Sequence, residues 1–166
     1  FYDKEPKNTI IIQAKQRQPL MTPRAAVKGL DGTSQNRLKR IGKELRIAYR
    51  WEDTDVKVYP VENLVDRWRI YIKGPDGTLY ENKWWDLFAT FPENYPYSPP
   101  IFRFITVPYH INISDEGRIC MNTLGSDYSS SINVMELIAN IKALLIIPNY
   151  EDPIDIAKRD LYKKTP

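Results

Sequence analysis

Between Val56 and Val107, apolar and polar residues alternate along four short runs whose connections are too short to carry a crossover helix. Val56 and Val58 alternate with Lys57 and Tyr59, and Trp68, Ile70 and Ile72 alternate with Arg67, Arg69, Tyr71 and Lys73. Gly74-Pro75-Asp76-Gly77 then offers a turn. Beyond it Trp85, Leu87, Ala89 and Phe91 alternate with Trp84, Asp86, Phe88 and Thr90. Pro92, Pro96, Pro99 and Pro100 end the third run and fix the path into a fourth, Ile101–Val107. An antiparallel meander with one buried face meets this order.

Helical periods flank the meander. From Ser34, the residues Leu38, Ile41, Leu45 and Ala48 mark one apolar face, with most lysines and arginines off it. An aperiodic stretch, Pro108–Ser131, follows the fourth run. Beyond it Val134, Leu137, Ile138, Ile141, Leu144 and Leu145 spread over more than half a helix circumference, which predicts the central, most buried helix. Asn133 would cap that helix, Glu136 would complete a capping box and Pro148 would stop it. The fold class is therefore α+β: an N-terminal helix, a four-stranded antiparallel meander, a long loop and a buried helix across one face. Residues 1–33 hold Pro6, Pro19, Pro23, Gly29 and Gly32 without a sustained period. They read as an N-terminal extension with a short strand expected at Thr9–Gln13, leaving residues 34–166 as one domain.

With 166 residues, 42% hydrophobic and 27% charged, the chain can bury a real core and is too apolar for disorder. One cysteine excludes an internal disulfide, and one cysteine with one histidine excludes a zinc cluster. No metal or cofactor is expected, and a reducing compartment, cytoplasm or nucleus, suits the chain. The richest apolar run, Ile132–Ile147, is broken by Asn133, Glu136, Asn140 and Lys142, so no membrane partner is expected. The first residue is Phe and no secretory signal is visible, which suggests a piece of a longer polypeptide. A monomer is expected.

Charge is segregated. Residues 1–33 carry six basic and three acidic side chains, and residues 34–50 set Arg37, Lys39, Arg40, Lys43, Arg46 and Arg50 against Glu44. Residues 51–166 hold twelve basic and seventeen acidic residues, a net charge of −5. A basic front on an acidic body suggests docking to an acidic protein. Nucleic acid is not expected, since no recognised binding motif accompanies the charge.

The one cysteine, Cys120, lies ten residues after the one histidine, His110, inside the aperiodic stretch. A lone cysteine is most often a small buried hydrophobe. A connection of this length in a compact domain is usually functional or disordered, however, so the address of Cys120 makes it a candidate. A Cys–His thiol hydrolase is permitted by the spacing, but no strand–helix context places the pair for hydrolysis.

Further residues carry a resemblance. Trp68, Gly74-Pro75 and Tyr80 are followed by Phe91-Pro92-Glu93-Asn94-Tyr95-Pro96-Tyr97-Ser98-Pro99-Pro100. Then come Tyr109-His110-x-Asn112, Gly117-x-Ile119-Cys120 and Pro148-Asn149-x-x-Asp152-Pro153. In order and spacing, over roughly residues 34–160, the chain resembles the ubiquitin-conjugating enzymes.

The resemblance implies that Cys120 carries ubiquitin, or a ubiquitin-like modifier, as a thioester and passes it to a substrate lysine or a ligase cysteine. It implies that Asn112 supports the oxyanion or orders its loop, and that Asp152 orients or helps deprotonate the incoming lysine. His110 would be structural, Tyr109 and Tyr128 would line or buttress the site, and Asn122 would lie beside the thiol. Arg37, Lys39, Arg40 and Lys43 would meet the activating enzyme, and Tyr97, Ser130 and Ser131 would meet the ligase. The chain departs from the family at Ile111, which replaces a proline, at Tyr128, which replaces tryptophan, and at Ser130-Ser131, which replace Pro-Ala. Asn122 stands where aspartate is frequent. Asparagine there, with a basic N-terminal extension, is similar to conjugating enzymes of the neddylation type. Only Ile154–Pro166 follow the Asp-Pro pair, so a truncated C-terminal helical part is expected. The alternative is a catalytically weak or inactive binding or scaffold module of the same fold.

Overall fold

A computed structural model of the chain describes residues 32–119 and 128–164. The expected strand at Thr9–Gln13 lies outside the described residues. Helix α1, Gly32–Arg50, begins two residues before the expected Ser34 and buries Ile41 and Leu45 from its apolar stripe. Strands β1, Val56–Val61, and β2, Leu64–Lys73, follow, then β3, Trp84–Thr90, and β4, Ile101–Phe104. All neighbours pair antiparallel in the order β1-β2-β3-β4, the expected meander.

Strand β4 stops at Phe104 rather than at Val107. Its inward positions are Phe102 and Phe104, and the next inward position is Thr106, which gives the core no apolar side chain. Ile105 N–H still reaches the Asp86 carbonyl at 2.8 Å, and then the chain leaves the sheet. The long turn between β2 and β3 folds back tightly on Gly74, where a Cβ would stand 1.6 Å from the Tyr80 carbonyl oxygen. No side chain fits there.

Helix α2, Val134–Ile146, has the expected capping box: the Asn133 side chain accepts from Glu136 N–H at 2.9 Å, and Glu136 accepts from Asn133 N–H at 3.2 Å. Its buried Val134, Leu137, Ile138, Ile141, Leu144 and Leu145 share one core with Trp68, Ile70, Ile72, Leu87 and Phe104 of the sheet. Each such side chain contributes about 1.5–3 kcal/mol relative to exposure, which is why α2 and the inner sheet face form one unit. A last helix, α3, Ile156–Lys164, is capped by Asp155, whose carboxylate accepts from Ala157 and Lys158 N–H at 2.8 and 3.2 Å.

Candidate active site

The segment between β4 and Ile119 is tied to the core at several points. Tyr80 donates its hydroxyl to the Tyr109 carbonyl at 2.7 Å. His110 is fully buried and uses both ring nitrogens. Asn112 N–H donates to Nδ1 at 3.0 Å, so the ring proton sits on Nε2 and is donated to the Leu144 carbonyl at 2.9 Å. Burial pushes the His110 pKa down to about 4; the Leu144 carbonyl opposes this shift and the Lys158 ammonium adds to it. A neutral imidazole with both nitrogens engaged is a strut between loop and α2, not a base for a thiol hydrolase.

Asn112 is the second strut. Its buried side chain donates to the Asn149 carbonyl at 2.8 Å and the Asp152 carbonyl at 3.0 Å, and accepts from Asn149 N–H at 2.9 Å. Ile111, in the family's proline position, is fully buried, and its carbonyl accepts from Ile154 N–H at 2.8 Å. These bonds join the segment before Cys120 to the segment that carries Asp152. His110, Asn112 and the Asp152 backbone therefore form one hydrogen-bonded cluster.

From Ile113 the chain makes a tight hairpin. Ile113 pairs with Ile119 and Arg103 of β4 pairs with Arg118. Gly117 turns it with φ of 85°, and a Cβ there would lie 2.1 Å from the Phe104 carbonyl oxygen. The hairpin closes at Ile119, the residue that precedes Cys120 in the sequence. Cys120 and Asn122 themselves lie outside the described residues.

The remaining candidates divide. Lys39 and Lys43 are exposed on α1. Arg37 and Arg40 turn inward. Arg37 donates to the Phe91 and Pro92 carbonyls at 2.6 and 2.8 Å and to Asp66 at 3.0 Å. Arg40 donates to Glu44 at 2.7 Å and to the Ser130 and Ile132 carbonyls, with its guanidinium 5.7 Å from the Tyr95 ring centre. Tyr97 is 78% exposed, and Ser130 and Ser131 are exposed on the loop before α2. Tyr128 packs against the core and donates to the Pro96 carbonyl at 2.7 Å. Tyr109 is half exposed, with the Lys158 ammonium 5.3 Å from its ring centre.

Sequence reasoning gave no role to Glu44, Asn149 or Lys158. Glu44 is fully buried and accepts from the N–H of Val134, the first residue of α2, at 2.9 Å. Its signal was an acid beside the apolar stripe of α1. Lys158 is buried on α3 and reaches Asp115 and the Ile113 carbonyl. Nothing local distinguishes it from the exposed lysines of the same helix. Among the described residues no cluster of three or more His, Cys, Asp or Glu could hold a metal, and no helix is long and apolar enough to cross a membrane.

Residues 40–166 match the family model described as ubiquitin-conjugating enzyme. A probable ubiquitin-conjugating enzyme of Arabidopsis thaliana, E2 31, is 36% identical over 119 residues, covering 70% of this chain and 77% of its own length. Ubiquitin-conjugating enzyme E2 13 of Schizosaccharomyces pombe is 33% identical, covering 76% of this chain and 85% of its own length. A crystal structure of a candidate ubiquitin conjugating enzyme from Plasmodium yoelii superposes with a TM-score of 0.71 at 33% identity, covering 78% of this chain and 84% of that one. A helix, a four-stranded meander, the strutted loop and a buried helix thus meet a match over most of the chain, and the chain belongs to the ubiquitin-conjugating enzymes, which work through a thioester intermediate.

Proposed function

We propose that Cys120 is the carrier. Its thiolate attacks the thioester carbonyl of ubiquitin bound to the activating enzyme, whose cysteine is expelled as a thiolate and takes up the proton that Cys120 released. In the second step a lysine amine, or a ligase thiol, attacks the Cys120 thioester, and the Cys120 thiolate is expelled. The observation that supports this reading is the pair of struts, His110 and Asn112, which ties the segment upstream of Cys120 in sequence to Leu144 of α2 and to the backbone of Asn149 and Asp152. With all of its hydrogen bonds directed to backbone, Asn112 acts by ordering the loop. Asp152 orients the lysine that attacks. The full burial of the Ile111 side chain holds this position without the fixed φ of proline, which supports an active rather than an impaired loop.

Lys39 and Lys43 meet the activating enzyme, and Tyr97, Ser130 and Ser131 meet the ligase. The protein works as a monomer in the cytoplasm or nucleus, where a lone thiol stays reduced. The test is incubation with activating enzyme, ATP and ubiquitin. A conjugate removed by reductant is expected, and Cys120→Ser should instead trap a reductant-resistant ester. No conjugate with ubiquitin or any ubiquitin-like modifier would refute the carrier role.

A further inference from the structure

Helix α3 is short, and two of its apolar side chains, Ile156 and Leu161, are exposed. A helix of nine residues is marginal in water unless something fastens it. Among the described side chains of α3 the buried one is that of Lys158. A buried ammonium is costly unless it is paired. The contacts of this one reach across to the segment between β4 and Ile119. It donates to the Asp115 carboxylate and, at 3.4 Å, to the Ile113 carbonyl, and it stands 5.3 Å from the Tyr109 ring centre.

Asp152 lies on the chain just before α3, and the ties around it run to the same segment. The Asn112 side chain donates to the Asp152 carbonyl at 3.0 Å, and Ile154 N–H donates to the Ile111 carbonyl at 2.8 Å. Asp155 then caps α3, so a helix held by Lys158 fixes the direction in which the chain leaves Asp152. Asp115 is exposed, and an ion pair at such a surface contributes little by itself. The buried partner gives this pair its leverage, because a small shift of α3 strips a buried charge of its acceptors.

We propose that Lys158 is a positioning residue for transfer to lysine: it fastens α3 to the Ile113–Asp115 turn and so holds the Asp152 segment and the Tyr109 ring in place for the attacking amine. This inference rests on the carrier role of Cys120. In that transfer the amine attacks the thioester carbonyl, the amide bond forms and the C–S bond breaks. The amine's proton ends on the departing Cys120 thiolate. A thiol acceptor attacks as a thiolate and needs no group to orient an amine or take its proton. Positioning through the Asp152 segment therefore separates the two acceptors, since it bears on the amine and not on the thiol. A loss of folding alone would slow both.

The test is single-turnover discharge of the full 166-residue chain. The chain is charged with ubiquitin, or with whichever modifier loads the parent, ATP is removed, and the thioester is chased with free lysine or with 2-mercaptoethanesulfonate. Lys158→Met should slow discharge to lysine at least about threefold and leave discharge to the thiol within about twofold of the parent. Lys163→Met, which removes an exposed cation from the same helix, should leave both within about twofold. If thermal melting shows Lys158→Met unfolded, Asp115→Asn at the exposed end of the pair replaces it, with about twofold slowing expected for lysine alone. The proposal is overturned if discharge to lysine slows less than this, if both acceptors slow together, or if Lys163→Met slows lysine discharge as much. A parent chain that never charges refutes the carrier role, and this inference with it; a parent that charges while its variants show no split between acceptors refutes this inference alone.

Discussion

Replacing Asn112 with alanine separates a structural strut from a reacting group. The wild-type side chain is fully buried and makes three hydrogen bonds, at 2.8, 2.9 and 3.0 Å, all to the backbone of Asn149 and Asp152. Asn112→Ala leaves two carbonyls and one N–H without these partners. At about 1 kcal/mol net for each bond, the loss is about 3 kcal/mol. For a chain of this size each kcal/mol moves the melting temperature by about 2–4 °C, so a fall of about 6–12 °C is expected. Asn112→Asp keeps the size but sets a carboxylate against two carbonyl oxygens. It should be as damaging near neutral pH and milder in acid, where the protonated carboxyl can donate once. Thermal unfolding followed by circular dichroism gives the answer, with lysine discharge assayed in parallel. If Asn112→Ala melts within about 1 °C of the parent yet loses discharge, the strut argument is wrong and the side chain acts on the oxyanion.

Two further outcomes are expected. His110 has its pKa lowered from 6.5 to about 4, so folding prefers the neutral ring. Its contribution, up to about 3 kcal/mol, is fully present above about pH 6.5 and is lost as pH falls toward 4. Urea unfolding across that window should show the slope, His110→Gln should flatten it, and a flat wild-type profile would refute it. Gly117→Ala combines a φ of 85° with a Cβ 2.1 Å from the Phe104 carbonyl oxygen. It should cost at least about 2 kcal/mol and slow thioester loading; a parent-like melting curve would show that the hairpin yields.

Helix α2 was legible because its cap, stripe and stop are local: Asn133, Glu136, the apolar residues and Pro148 lie within a few turns of one another. The early end of β4 was less legible, since it depended on one polar residue, Thr106, at an inward position. The inward turn of Arg37 and Arg40 could not be read from α1, whose stripe shows only which residues are apolar. Their acceptors, the carbonyls of Phe91, Pro92, Ser130 and Ile132, lie more than fifty residues away in sequence. In the same way, the motif around Asn112 identified the residue, while its tie to Asn149 and Asp152 exists only once the two segments are folded together.

Leu144 lies in the last four residues of α2, where a helical carbonyl has no partner within its own helix, and the acceptor is filled by the His110 ring. The loop therefore completes the hydrogen bonding of the core helix, and neither part is whole alone. Opening the loop would strip a buried carbonyl and a buried imidazole together, which couples it to the most cooperative unit of the protein. Its amides, that of Asn112 above all, should exchange with solvent only when the whole domain unfolds. Substrate entry and exit at the thiol must then draw on motions of other segments.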